Sequence, residues 1–121
     1  MDATSEKDNE MLPLEIEKSY TENKLILYLK GRLDTQTSEE FQQSMDEYFD
    51  EINKDLVLDF SEVEYLSSAG LRAILYITKK LKALEGEHTF SIVKVKPSVM
   101  EVFDMTGFTE FIDIFPMKNS Q

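Results

Sequence analysis

The stretch Leu56–Leu75, LVLDFSEVEYLSSAGLRAIL, decides how the rest of the chain is read. It opens on an unbroken apolar run, Leu56-Val57-Leu58, closed by Asp59 and Phe60. Consecutive rather than alternating apolar positions predict a strand buried on both faces. A short polar loop follows, and then Leu71, Ile74, Leu75, Thr78 and Leu81 recur at helical spacing. Ser67-Ser68-Ala69-Gly70 therefore stands where a central strand hands over to a helix, the place where α/β sheets keep their sites. A hydroxyl there is first of all an N-cap, accepting from an unpaired first-turn N–H for about 1 kcal/mol. The same place faces free N–H groups and the positive end of the helix dipole, which suits a phosphate.

Upstream, Leu14-Glu15-Ile16-Glu17 and Lys24–Lys30 both alternate, with turn material at Tyr20-Thr21-Glu22-Asn23 between them, which predicts a β-hairpin. Gly31 closes its second strand, and Arg32-Leu33-Asp34-Thr35 reads as a loop. Thr37-x-x-Glu40 has capping-box spacing. Phe41, Met45, Tyr48, Phe49 and Ile52 then mark one face of an amphipathic helix. Downstream, the second helix ends near Glu85-Gly86, and His88–Val95 reads as an inner strand. Ser98-x-x-Glu101 offers another capping box. Val99, Val102 and Phe103 form a short helix ended by Gly107, and Phe111–Phe115 is a last strand. The order β-β-α-β-α-β-α-β predicts an α/β fold: a mixed, mostly parallel sheet with right-handed crossovers and an antiparallel hairpin at its start. Residues 1–11 read as a flexible acidic tail, 12–116 as the domain and 117–121 as a C-terminal tail.

The chain has 121 residues, enough for one core, and a net charge of −11 from 24 acidic and 13 basic residues. Such a balance argues against nucleic acid and against an anionic membrane, and favours a protein partner with a basic patch. No apolar run approaches the ~20 residues of a membrane span, and the polar N-terminus resembles no targeting peptide, so a cytoplasmic protein is expected. Cysteine is absent, which removes disulfides and thiol chemistry. Charge is segregated. Thr35–Asn53 holds six acids and no base, and Ser68–Leu84 holds four bases (Arg72, Lys79, Lys80, Lys82) and no acid. The three lysines suit a helix C-terminus; Arg72 lies too early for that explanation.

Asp59-Phe60-Ser61, Val63 and Tyr65-Leu66-Ser67-Ser68-Ala69-Gly70-Leu71 together resemble the signature of STAS domains of the anti-sigma factor antagonist type. The likeness extends from about Leu14 to Phe115, including Val99-x-x-x-Phe103-x-x-x-Gly107-Phe108. The resemblance implies the STAS fold, with the family's final helix missing after Phe115. It also implies a binding module that docks on an anti-sigma factor, itself a serine kinase of the histidine-kinase-like ATPase fold, and so releases a sigma factor. Phosphorylation of one serine cancels docking, and a serine phosphatase resets it. By spacing from Gly70 the acceptor is Ser68, with Ser67 the less favoured choice. The well-known members carry Asp where Ser67 stands and Ser or Thr where Ala69 stands. The implied docking surface comprises Gly31, Asp34 and Thr35 of the Gly-x-Leu-Asp element together with Ser67, Ser68, Gly70, Leu71 and Arg72. An alternative within the same family is an unswitched accessory subunit of a lipid transporter or a signalling scaffold.

Other chemistries find little support. His88 is the single histidine, and no Gly-x-Ser-x-Gly elbow, phosphate loop or dinucleotide fingerprint is present. Asp59 invites comparison with a response-regulator phosphoacceptor, but paired acids after the first strands are lacking. It is expected instead to bond N–H groups of the loop after its strand. No catalytic residue, metal or cofactor is assigned, and no enzymatic turnover is expected.

Overall fold

The computed structural model describes residues 14–52 and 55–118, and the predicted acidic tail lies outside them. The hairpin forms from β1 (Glu15–Tyr20) and β2 (Lys24–Leu33) across a turn closed by Thr21 N–H donating to the Lys24 carbonyl at 2.9 Å. Then come α1 (Thr35–Tyr48), a 3₁₀ turn (Phe49–Glu51) and the long β3 (Asp55–Leu66). After these follow α2 (Ser68–Ala83), β4 (Thr89–Val95), α3 (Pro97–Thr106), a second 3₁₀ turn (Phe108–Glu110) and β5 (Asp113–Pro116). The element order matches that read from the sequence. Strands are arranged β1-β2-β3-β4-β5, antiparallel in the first pair and parallel in the others. No helix follows β5 among the described residues, and Met117 N–H still bonds the Val95 carbonyl at 2.8 Å.

Alternation sorts the sheet into two unlike faces. Leu25, Leu27 and Leu29 of β2, Leu56, Leu58 and Phe60 of β3 and Ile92 of β4 are buried in one cluster. That cluster also contains Phe41 and Met45 of α1, Ile74 and Ile77 of α2, and Val99 and Phe103 of α3. Crossovers that all step the same way with one hand place all three helices on this face. The opposite face has no helix on it: Tyr28 remains 41% exposed and Phe115 53%. Val57, paired with Ile26 and Ser91 on that face, is only partly buried. The expectation of a strand covered on both sides is thus corrected; the apolar run Leu56-Val57-Leu58 reports a partly exposed Val, not a second helix layer.

Other boundaries shift too. Ser61–Tyr65, read as a loop, continues β3, because β2 runs on to pair with it as far as Leu33↔Leu66. β3 uses one residue more than β2 at each of two slips in register, as bulges do. Gly31 lies inside β2 rather than at its end, beside one of these slips, with φ +127, a conformation that L side chains rarely adopt. Neither expected capping box forms. Asp34, not Thr37, caps α1, and α3 begins at Pro97 after Lys96, with no side-chain cap from Ser98. The fixed φ of Pro97 already suits a first helical position. Gly107 ends α3 in the left-handed conformation, as expected.

The segregated charges meet across the helix layer. Tyr76 of α2 donates to Asp46 of α1 at 2.6 Å, and Lys80 Nζ lies 3.9 Å from the same carboxylate. Lys80 also sits over the rings of Phe49 and Tyr76. One acid of the α1 run and one lysine of α2 therefore join the two helices.

Candidate functional site

The carboxyl ends of β2 and β3 lie side by side, and each hands over directly to a helix. One hydrogen bond links the two handovers: Ser67 N–H donates to the Leu33 carbonyl at 2.9 Å. Residues 34 positions apart in sequence thus share one surface.

On the β2 side, Asp34 Oδ1 accepts from the N–H groups of Gln36 and Thr37, both at 3.1 Å, while Asp34 N–H donates to Thr37 Oγ1 at 3.0 Å. This is a capping box with Thr at the third helical position in place of the usual Glu or Gln. The Thr37 hydroxyl also donates to the Arg32 carbonyl. Burial alone would raise the Asp34 carboxyl. The Thr37 N–H and hydroxyl, the Gln36 N–H and the Arg32 side chain outweigh it and hold the group below the ordinary carboxylate range. Arg32 lies 3.5 Å from Asp34 Oδ2 and spreads over the Tyr65 ring at 4.3 Å. Tyr65 was not singled out from the sequence. Its signal was the Val63–Tyr65 alternation, which extends β3 and places Tyr65 opposite Arg32.

On the β3 side, Ser67 is the N-cap of α2, its Oγ accepting from Gly70 N–H at 3.3 Å. Ser68 is the first helical residue, exposed, and its hydroxyl makes no hydrogen bond among the described residues. Gly70 is buried. A Cβ there would lie 2.6 Å from Leu66 Cδ1 and 3.0 Å from both Cβ and the carbonyl oxygen of Leu33. The glycine is what lets α2 start this close to both strand ends. Leu71 packs on the core, and exposed Arg72 lines a groove of about 370 Å³ with Thr35, Ser38, Glu39 and Ala69. Asp34, Thr35, Ser67, Ser68 and Arg72 therefore lie around the joined handovers, with Gly70 buried and Leu71 half-buried beneath them and Gly31 farther back in β2, paired with Val63.

Asp59 lies apart, on the uncovered sheet face but itself only 4% exposed. Its Oδ1 accepts from Ser61 N–H at 2.9 Å, a bond within β3 rather than to a loop after it, and its Oδ2 lies 3.7 Å from Lys94 Nζ. No acidic cluster suited to a metal surrounds it among the described residues. The His88 ring nitrogen lies 2.8 Å from the Glu85 carbonyl, at the opposite end of the strands.

The sequence matches the STAS domain family over residues 15–120. This chain belongs to the STAS domain family. It is 35% identical over 97 residues to BtrV of Bordetella bronchiseptica, a provisionally named anti-sigma factor antagonist, covering 80% of this chain and 79% of that one. The STAS fold is shared with an anti-sigma factor antagonist from Mycobacterium paratuberculosis, with a TM-score of 0.75 at 21% identity, over 85% of this chain and 86% of the other. It is also shared with the Bacillus cell fate determinant SpoIIAA in its phosphorylated form, with a TM-score of 0.60 at 19% identity, over 84% and 89%. No described helix of this STAS domain is long and apolar enough to cross a membrane.

Proposed function

We propose that this STAS domain is a cytoplasmic anti-sigma factor antagonist, a binding module switched by phosphorylation of Ser68. In its unmodified form it docks through the joined β2–α1 and β3–α2 handovers on an anti-sigma factor that is also a serine kinase. Docking releases the sigma factor. The kinase then modifies Ser68, and a serine phosphatase removes the phosphate. The observation that carries this reading is the division of labour between the two serines: Ser67 is occupied as the cap, and Ser68 presents a free hydroxyl beside it. The names of the relative and of the structural neighbours support the same class.

The switch follows from charge. A phosphate brings about −1.5 to −2 units and three solvated oxygens into a contact surface. Burying it without a partner typically costs several kcal/mol, enough to cancel docking.

The test is a pull-down from native cells, followed by incubation of the captured kinase and ATP with purified protein and peptide mass spectrometry. Phosphate is expected on Ser68. Ser68→Ala is expected to bind and escape the kinase, and Ser68→Asp to bind weakly. Phosphate confined to Ser67 would overturn the residue assignment. Phosphate on neither, with a transporter ATPase captured instead, would replace the switch by an unswitched accessory subunit.

A further inference from the structure

We propose that Arg72 is a built-in counter-ion for a phosphate on Ser68, so that modification ties up a cation as well as adding negative charge. The inference rests on the reading of Ser68 as the acceptor. Ser68 and Arg72 are four residues apart on α2, hence neighbours on one face of the helix. Helical side chains lean toward the N-terminus, so a long side chain at 72 reaches back over position 68. The acid-first order, with the anion four residues before the cation, is the favourable one.

What sets Arg72 apart is its lack of a partner. Three other cations near the carboxyl ends of the strands each have a carboxylate: Arg32 with Asp34 at 3.5 Å, Lys94 with Asp59 at 3.7 Å and Lys96 with Glu64 at 2.8 Å. Arg72 has none within 4 Å among the described residues. Two acids of α1, Glu39 and Asp46, line the same groove. Asp46 is already engaged by Tyr76 and Lys80, which leaves Glu39 as the competitor. The first turn of α2 contains no acid. A phosphate at position 68 would be the nearest dianion to a planar fork of donors suited to it. The unmodified surface thus offers a partner a neutral hydroxyl and a free guanidinium. The modified surface offers neither.

The test places phosphoserine at position 68 by codon suppression, independently of any kinase, and follows the phosphate's second ionisation by ³¹P NMR. It is expected to titrate lower in the otherwise unchanged protein than in R72Q, by about 0.3 of a pH unit (about 0.4 kcal/mol). R72K is expected to lie between them, and the difference to shrink in high salt. Circular dichroism before titration checks that each variant is folded. Equal values in the unchanged protein and R72Q would overturn the counter-ion. Native protein with no phosphate on Ser68, but with an Arg72-dependent shift on installed phosphoserine, would overturn the acceptor reading and support the contact.

Discussion

Asp34 shows how one side chain takes on two tasks. It lies at the centre of the surface proposed for docking, and it caps α1. As a cap it contributes about 1 kcal/mol, so Asp34→Ala is expected to lower stability by that order in urea unfolding, in addition to any loss of binding. Asp34→Asn keeps the accepting oxygen and is the cleaner probe of docking. A titration with the purified partner should show weaker binding for Asn, with a smaller loss of stability than for Ala, and unchanged affinity would remove Asp34 from the surface. The carboxyl's depressed ionisation in the folded state has a definite sign. The stabilisation is fully present above the ordinary carboxylate range and is lost as pH falls through the lower, folded-state value. The stability gap between the native protein and Asp34→Ala is therefore expected at neutral pH and should narrow under acid, as measured by urea midpoints at pH 7 and pH 3.

At the level of elements, the handover from β3 to α2 depends on the absence of a side chain at position 70. Gly70→Ala should destabilise by about 1–3 kcal/mol, because the added methyl meets Leu33 backbone as well as the movable tip of Leu66. A midpoint within experimental error of the native value would show that the handover can relax. The order of elements was legible in the sequence because apolar period changes cleanly between strands and helices. The second half of β3 was not, since Ser61, Glu62 and Glu64 look like loop residues when one sheet face is open and the bulges break the alternation. The α1 cap was misplaced for a different reason. Thr37 and Glu40 offered the usual capping spacing, but Thr37 serves the Asp34 box from its third position. In contrast, the meeting of Leu33–Thr35 with Ser67–Arg72 needed only the parallel pairing of neighbouring strands, which the β-α-β order already implies.

On the scale of the molecule, 24 acids against 13 bases leave a strong self-repulsion that the folded chain concentrates. Moderate salt is expected to raise the melting temperature by screening it, which differential scanning calorimetry at about 0.02 and 0.3 M NaCl would detect. A fall in melting temperature would mean that the ion pairs, including those across the α1–α2 contact, outweigh the repulsion. The sheet has a further property. Its spatial order is the order of the chain: each strand pairs with the one made just before it. A ribosome emitting this protein therefore never has to hold an unpaired strand while waiting for a distant partner, and every new β-α unit can dock on a finished edge. Nascent chains from which residues 1–83 have emerged should accordingly protect β1–β3 from protease, before β4 or β5 emerges.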